Sequence, residues 1–458
     1  MNSILKEIIA RKRIDVAQRK QIVSIVELRT RAVPTNRRLG AALQKPGMRF
    51  ILECKKASPS EGLIRADYDP AVIADVYREY ADAISVLTDT PYFAGDFGHL
   101  RTVRARVELP ILCKDFMLEP YQVVEARDAG ADAILLMLSV IDDEAYLECA
   151  AEASRLHMDV LTEVHNESEL SRAVALDARI IGINNRDLNT LKVDLETTRR
   201  LAPLIPANRI KVCESGLSSR ADLDAVARWV NGFLVGSHLM KSVRLDLAVR
   251  KLIFGQVKIC GLTSVEQVRL AHAAGATLGG LIFAAESPRF VHDEQARIIA
   301  ENSPLPLVGV FVNESIDRVA TLAADLRLHA VQLHGDEDSA MIAALRSKLP
   351  SQCEIWKAVR VVKAIPSWAT YGADRILLDA FSQSVRGGTG KSFDWSLLDD
   401  HSDKSRLILS GGICPDNIVA AHQIDCGMLD VNSGVESEPG VKDEAKLRRL
   451  FAALRGEW

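Results

Sequence analysis

Residues 110–137, PILCKDFMLEPYQVVEARDAGADAILLM, decide the fold. Ile111–Lys114 and Ala133–Met137 are apolar runs of strand length, and Pro120–Ala129 between them has helical spacing. The two runs are apolar throughout rather than alternating. Both faces of each strand are therefore buried, as in a parallel sheet covered by helices. Working outward, the same unit recurs. Further strands are read at Phe50–Cys54, Ala83–Leu87, Asp159–Glu163, Ile180–Asn184, Ile210–Glu214 and Gly232–Gly236, with helices such as Ala71–Tyr80 and Asp222–Val230 between them. Eight β–α units fit a closed parallel barrel better than an open, doubly wound sheet.

The second half repeats the pattern. Strands are read at Val257–Cys260, Gly280–Phe283, Val308–Phe311, Ala330–Leu333, Ile355–Val359, Arg375–Asp379, Leu407–Ser410 and Met428–Val431. The restart lies near Phe254–Gln256, with no long linker. The expected architecture is α/β: two tandem TIM (β/α)8 barrels, residues 1–255 and 256–458, the first with an N-terminal helical extension. A length of 458 residues suits two such domains.

Composition is that of a globular protein, 48% hydrophobic and 26% charged, and a formal charge of −4 exerts no general pull on nucleic acid or anionic membranes. No apolar run is long enough for a membrane helix. The opening stretch MNSILKEIIARKRIDVAQRK has no apolar signal core, and Glu7, Asp15 and Glu27 argue against a transit peptide. It reads as an amphipathic helix with Ile4, Leu5, Ile8 and Ile9 on one face. Its basic residues either help to close a site or form a solvated face. The eight cysteines, at positions 54, 113, 149, 213, 260, 353, 414 and 426, include no CxxC pair. That excludes a disulfide framework or zinc site and suggests a reducing cytoplasm.

In barrels of this kind the active face lies at the C-terminal ends of the strands. In the first half, Glu53 and Lys55 end strand one, Lys114 strand three, Glu163 strand five, Asn184 strand six, and Glu214 with Ser215 strand seven. Three carboxylates and two lysines would share one mouth. Such a cluster suits acid–base catalysis on an anionic substrate, and a lysine-rich mouth repels a metal cation. Late in each half, CESGL (213–217) corresponds in place to LSGGI (409–413), and LVGS (234–237) to VNSG (431–434). Small residues after strands seven and eight let backbone N–H groups approach a phosphate. In the second half Cys260 ends strand one and Asp379 strand six. The thiol is either core packing or a base whose thiolate is favoured by neighbouring cations or dipoles.

Six segments of the first half resemble indole-3-glycerol-phosphate synthase: ILECKKASPSEG (51–62), PILCKDF (110–116), LTEVHN (161–166), GINNRDL (182–188), VCESGL (212–217) and FLVGSHLM (233–240), with the helical extension before them. Cys54 stands where that pattern leads one to expect Ile, on the opposite side of the strand from Glu53 and Lys55. The resemblance implies ring closure of 1-(2-carboxyphenylamino)-1-deoxyribulose 5-phosphate, with loss of CO2 and water. It implies Lys114 as general acid at the ketose oxygen and Glu163 as base or proton relay. Lys55 would contact the substrate's carboxylate or phosphate and be available as the acid of dehydration. Glu53, Asn184, Glu214 and Ser215 would orient intermediates, and Ser58, Gly216, Gly236 and Ser237 would hold the phosphate.

The second half is similar to phosphoribosylanthranilate isomerase in VKICGLT (257–263), GLIFAAESPRF (280–290), VGVFVN (308–313), VQLHGDE (331–337), GGTGKSFDW (387–395), LSGGICPDN (409–417) and LDVNSGVESEPG (429–440). That similarity implies an Amadori rearrangement with Cys260 as general base and Asp379 as general acid. Arg289 would face the anthranilate ring and carboxylate. Gly388, Gly411, Gly412, Ser433 and Gly434 would contact phosphate, with His334 and Asp430 at the mouth. GGTGK is too short and misplaced for a nucleotide P-loop. Other phosphosugar barrels rely on aspartate pairs or metal, which Lys114 and Cys260 do not match. A scaffold with one dead barrel would show a gap among the strand-end residues. The partners implied are small phosphorylated molecules, without cofactor, metal, nucleic acid, membrane or obligate protein partner, in a monomer with two separate sites.

Overall fold

The computed structural model describes residues 3–187, 190–361, 371–380, 393–399, 401 and 403–457. Contacts divide the chain into two compact units, Met1–Leu252 and Ile253–Trp458. In the first, eight parallel strands close into a barrel: β1 (Arg49–Cys54), β2 (Ala83–Leu87), β3 (Ile111–Lys114), β4 (Ala133–Met137), β5 (Asp159–Val164), β6 (Ile180–Asn184), β7 (Ile210–Glu214) and β8 (Gly232–Val235). Closure is visible at Ile51, which is in register with Ala83 on one side and Leu234 on the other.

The second unit is built the same way from β9 (Val257–Ile259), β10 (Leu278–Ile282), β11 (Leu307–Phe311), β12 (Ala330–Leu333), β13 (Glu354–Val361), β14 (Arg375–Ala380), β15 (Leu407–Leu409) and β16 (Met428–Val431). Here β9 closes the ring, with Lys258 in register with Leu278 and with Asp430.

Strand ends depart from expectation by one or two residues. Gly236, Cys260 and Ser410 fall just beyond β8, β9 and β15, because the chain leaves the ladder as it turns into the rim loops. The helix expected over Asp222–Val230 is an α-helix at Arg220–Val226 followed by a 3-10 turn at Ala227–Trp229. Tightening of the last turn is a common helix ending.

Strand periodicity explains how core and mouth are separated. The interior of the first barrel holds Ile51, Leu112, Leu161, Val212 and Leu234 in one apolar cluster. Two residues later on the same faces come Glu53, Lys114, Glu163, Glu214 and Gly236. In the second, Leu377 and Met428 belong to the interior cluster, and Asp379 and Asp430 follow them by two. The apolar layer closes the floor, so the polar layer above it can open only toward the strand C-termini.

The leading helix α1 (Ser3–Ile22) buries Leu5, Ile8, Ile9 and Val16. Its Lys12 contradicts both expectations for the basic residues of this segment. The side chain is 2% exposed, and its ammonium lies 2.6 Å from Asp89 and 2.6 Å from Asp115. Lys12 is thus an internal tie between α1 and the loops after β2 and β3.

Candidate active sites

In the first barrel the strand-end charges interlock. Lys114 Nζ sits 2.9 Å from Glu214 Oε2 and 3.6 Å from Glu53 Oε2. Lys55 Nζ lies 2.9 Å from Glu53 Oε1, and Ser85 Oγ donates to Glu53 Oε2 at 3.5 Å. Burial opposes the charge on Lys114, yet Glu214, Glu53 and Glu163 hold its pKa well above the usual lysine value. Burial likewise opposes ionisation of Glu53, but Lys55 and Lys114 outweigh it and keep the carboxyl below its ordinary range.

The two remaining carboxylates are driven apart. Burial would raise Glu163, but His165, Lys114 and Asn184 bring it down to about 2. At Glu214 burial wins: even with Lys114 alongside, and with Glu163 repelling it, the group is pushed up to about 7. Separation of this kind between neighbouring acids distinguishes a proton holder from a permanently charged one.

Asn184 is in register with Glu214, and its Oδ1 accepts the Arg186 backbone N–H at 2.9 Å. The next residue, Asn185, was not singled out from sequence. It is buried and ties β6 to the rim of β7, donating through Nδ2 to the carbonyls of Glu214 at 3.0 Å and Ser215 at 3.1 Å. Ser215 and Gly216 both have positive φ, 65° and 83°, which turns the chain sharply off β7. A Cβ on Gly216 would meet Val193 at 2.4 Å, and one on Gly236 would meet Glu53 Oε1 at 2.4 Å. Each glycine therefore has a packing duty independent of any phosphate. Ser58 follows β1 in a small hairpin, and Ser237 opens the helix Ser237–Met240 after β8.

In the second barrel one cavity is lined by Cys260, Arg289, His334, Asp379, Gly411, Gly412, Asp430 and Ser433, together with Gln332, Ser410 and Asn432. The structure thus brings eight of the ten expected residues together. Gly434 does not line the cavity. A Cβ there would lie 2.0 Å from the Ile413 carbonyl, so its lack of side chain serves the packing of two rim loops. Gly388 lies outside the described residues.

Asp379 Oδ2 is 3.3 Å from His334 Nε2, and His334 Nδ1 is 3.1 Å from the Gln332 amide nitrogen. Beneath them is a residue that sequence reading passed over. Lys258 is wholly buried, 3.1 Å from both oxygens of Asp430 and 2.9 Å from Gln332 Oε1. Its place two residues before Cys260 on a period-two strand was the available signal. A Cβ on Gly280 would lie 2.8 Å from both Cys260 Sγ and Lys258 Cε, so thiol and lysine stem converge over that glycine. Burial raises the Cys260 pKa, Lys258 and Lys442 pull it down, and Asp430 pushes it up. The net direction is upward. The Arg289 guanidinium, expected to face the substrate, also bonds bidentately to Glu436.

Comparison with known proteins finds one family in each half of the chain. The family model described as indole-3-glycerol phosphate synthase matches residues 5–252. That described as N-(5'-phosphoribosyl)anthranilate isomerase matches residues 257–453. The chain is 50% identical over 455 residues to the "Tryptophan biosynthesis protein TrpCF" of Vibrio cholerae, covering 99% of this chain and 96% of that one. It is 47% identical to the protein of the same description from Salmonella typhi, covering 99% and 100%.

Proposed function

The chain belongs to the family of tryptophan-biosynthesis proteins that join an indole-3-glycerol phosphate synthase to a phosphoribosylanthranilate isomerase, and on that premise we propose which residues perform the two reactions. It is a bifunctional enzyme. The C-terminal half isomerises N-(5'-phosphoribosyl)anthranilate to 1-(2-carboxyphenylamino)-1-deoxyribulose 5-phosphate. The N-terminal half converts that product to indole-3-glycerol phosphate, CO2 and water. We assign the isomerase to residues 256–458 and the synthase to 1–255.

In the isomerase, Asp379 gives a proton to the ribose ring oxygen and the ring opens to an iminium. Cys260 then removes the proton at C2, leaving an enolamine that tautomerises to the ketose. A thiol does this only as thiolate, and Lys258 and Lys442 are the cations that favour it. His334 orients the acid, and Asp430 holds Lys258 in place. Gly411 and Gly412, with φ of 84° and 69°, present the rim loop after β15 to the phosphate. Ser433, Gly434 and Gly388 complete that binding set, and Arg289 takes the anthranilate carboxylate.

In the synthase, the Lys114 ammonium protonates the ketose oxygen as the aryl carbon bearing the carboxylate attacks the carbonyl carbon. CO2 then departs. The new hydroxyl leaves as water, with the proton supplied by Lys55, or by Lys114 once it has regained a proton from solvent, while Glu163 accepts the proton released from the new ring. Glu53, Asn184, Glu214 and Ser215 hold these groups, and Ser58, Gly216, Gly236 and Ser237 the phosphate. The observation that carries the reading is Lys114 poised between Glu53 and Glu214 at the mouth while Cys260 and Asp379 share a different cavity.

Anthranilate fluorescence tests it. Cys260→Ala should stop only the isomerase step and Lys114→Ala only the synthase step. Loss of both steps from either change in a folded protein would overturn the assignment. The substrates are small phosphorylated molecules. Eight free cysteines suit a reducing cytoplasm.

A further inference from the structure

His165 follows Glu163 by two residues at the end of β5, and its ring is gripped from behind. One oxygen of Glu169, Oε2, accepts both the His165 backbone N–H at 2.8 Å and the Nδ1–H at 3.0 Å. Glu169 is itself fixed by Asn166, which donates to Oε1 at 2.8 Å and accepts the Glu169 N–H at 3.0 Å. With Nδ1 committed as a donor, Nε2 is turned toward Glu163, 3.2 Å from Oε1. That contact has ion-pair length without hydrogen-bond alignment, and both atoms are buried without another hydrogen-bond partner among the described residues. A neutral ring in this pose would set a lone pair against a carboxylate oxygen. The pose therefore favours an imidazolium whose charge is set against the Glu163 carboxylate.

The charged groups that face this pair are few. Lys114, Glu53 and Glu214 stand on the Glu163 side, from β3, β1 and β7. Glu169 stands behind the ring. Outside, the cavity on which His165 opens is lined by Arg186, Asp187, Lys192, Asp194 and Arg200, with the uncharged Leu5 and Ser139 from α1 and the β4 rim. Lys114 is shared among three carboxylates, so among the described residues the imidazolium is the cation that serves Glu163 without serving Glu214.

We propose that His165, clamped by Glu169, is a positioning residue of the synthase reaction that keeps Glu163 ionised and aimed at the closing ring. This rests on Glu163 being a reacting group, as read above. Burial is then the force His165 counters. Its own affinity for the proton is raised to about 10, burial notwithstanding, by Glu163 and Glu169. Losing a cation at this distance should raise the Glu163 pKa by about 1–3 units. A base with a higher pKa is protonated at higher pH, so the acid limb of the synthase rate should move toward neutrality.

The test uses the full chain, with isomerase turnover on the same samples as the folding control. His165→Ala should lower synthase kcat most at mildly acidic pH, move the acid limb upward, and leave KM nearly constant. His165→Gln offers a donor without charge and should restore alkaline kcat while leaving the limb displaced. Glu169→Gln should displace it in the same direction but less. Acid limbs that superimpose on wild type in both His165 variants would overturn the proposal. Glu163→Gln separates the two failures. If it retains synthase turnover, the role of Glu163 falls and this inference with it. If it abolishes turnover while the His165 variants leave the limb in place, only this inference falls.

Discussion

Arg289 and Glu436 are joined side by side, Nε donating to Oε1 at 2.8 Å and a terminal guanidinium nitrogen to Oε2 at 2.7 Å. The cation assigned to the substrate's carboxylate has therefore already used its fork on a protein carboxylate. Lys442 approaches the same Oε1 at 2.7 Å, so two cations share one anion and the group keeps a net positive charge toward the cavity. Glu436 fixes where that charge points. Glu436→Gln keeps the shape and removes the restraint, and Arg289 must then be ordered by the substrate itself. Isomerase kcat/KM should fall by about 10- to 100-fold, mostly through KM, with synthase kinetics unchanged. A fall confined to kcat would mean that Glu436 acts on the proton transfers instead.

Glu214 sets a pH dependence of stability. Its folded-state pKa, raised to about 7 from an ordinary 4.5, means the folded protein holds this proton more tightly than the unfolded chain. The resulting stabilisation is complete below about 4.5 and is lost as pH rises through about 7. Glu214→Gln stays uncharged throughout. Its melting temperature should gain on wild type as pH is raised across that window, even as synthase activity is lost. Melting curves that run parallel across the window would mean that Lys114 already neutralises the Glu214 charge.

What could be read from sequence follows from the physics of a buried parallel barrel. Strands covered on both faces are uniformly apolar, so Ala133–Met137 and Ile180–Asn184 announce themselves, and a charge that ends such a run, as at Lys114 or Glu163, marks the rim. Groups whose meaning comes from a distant partner were not legible. Lys258 looks like the flank of a motif until Asp430 is found in register beside it. Lys12 looks like one of several helix-surface cations until Asp89 and Asp115 close around it. His165 sits inside a quoted motif, yet nothing in the string shows that Glu169 reaches back to its ring. The rim glycines read as phosphate contacts or as turn formers, whereas Gly236 also leaves space for Glu53 and Gly434 for a rim carbonyl.

Lys12 supplies a separable test of the leading helix. Its ammonium neutralises Asp89 and Asp115, and Asp115 is the residue after Lys114, held also by Thr88 at 2.8 Å. Lys12→Met would leave two buried carboxylates facing each other without a cation, a change that costs about 3–5 kcal/mol. The synthase should lose activity at a lower temperature than in wild type while isomerase activity persists. Its kcat should fall even below that temperature, because the loop that leaves β3 directly after Lys114 loses its tether. Unaltered synthase heat stability would show that α1 is held by its apolar face alone.

Two glycines inside the barrels give matched predictions with opposite targets. A Cβ on Gly182 would lie 2.0 Å from Glu214 Oε1, against the far end of a side chain that can swing aside. Gly182→Ala should therefore cost little stability yet move the carboxylate from Lys114, lowering synthase turnover by about 100-fold and sparing the isomerase. At Gly280 the obstruction is deeper. Cys260 Sγ and Lys258 Cε both lie 2.8 Å from the added carbon, with Cys260 Cα at 3.1 Å. Backbone cannot step aside as a carboxylate can, so Gly280→Ala should destabilise the second barrel by about 1–3 kcal/mol as well as abolish isomerase turnover. Steady-state rates for each step and thermal unfolding of the two variants check the contrast. If Gly182→Ala turned over normally, the 2.9 Å contact between Lys114 and Glu214 would be dispensable, and Glu53 alone would have to hold the acid in place.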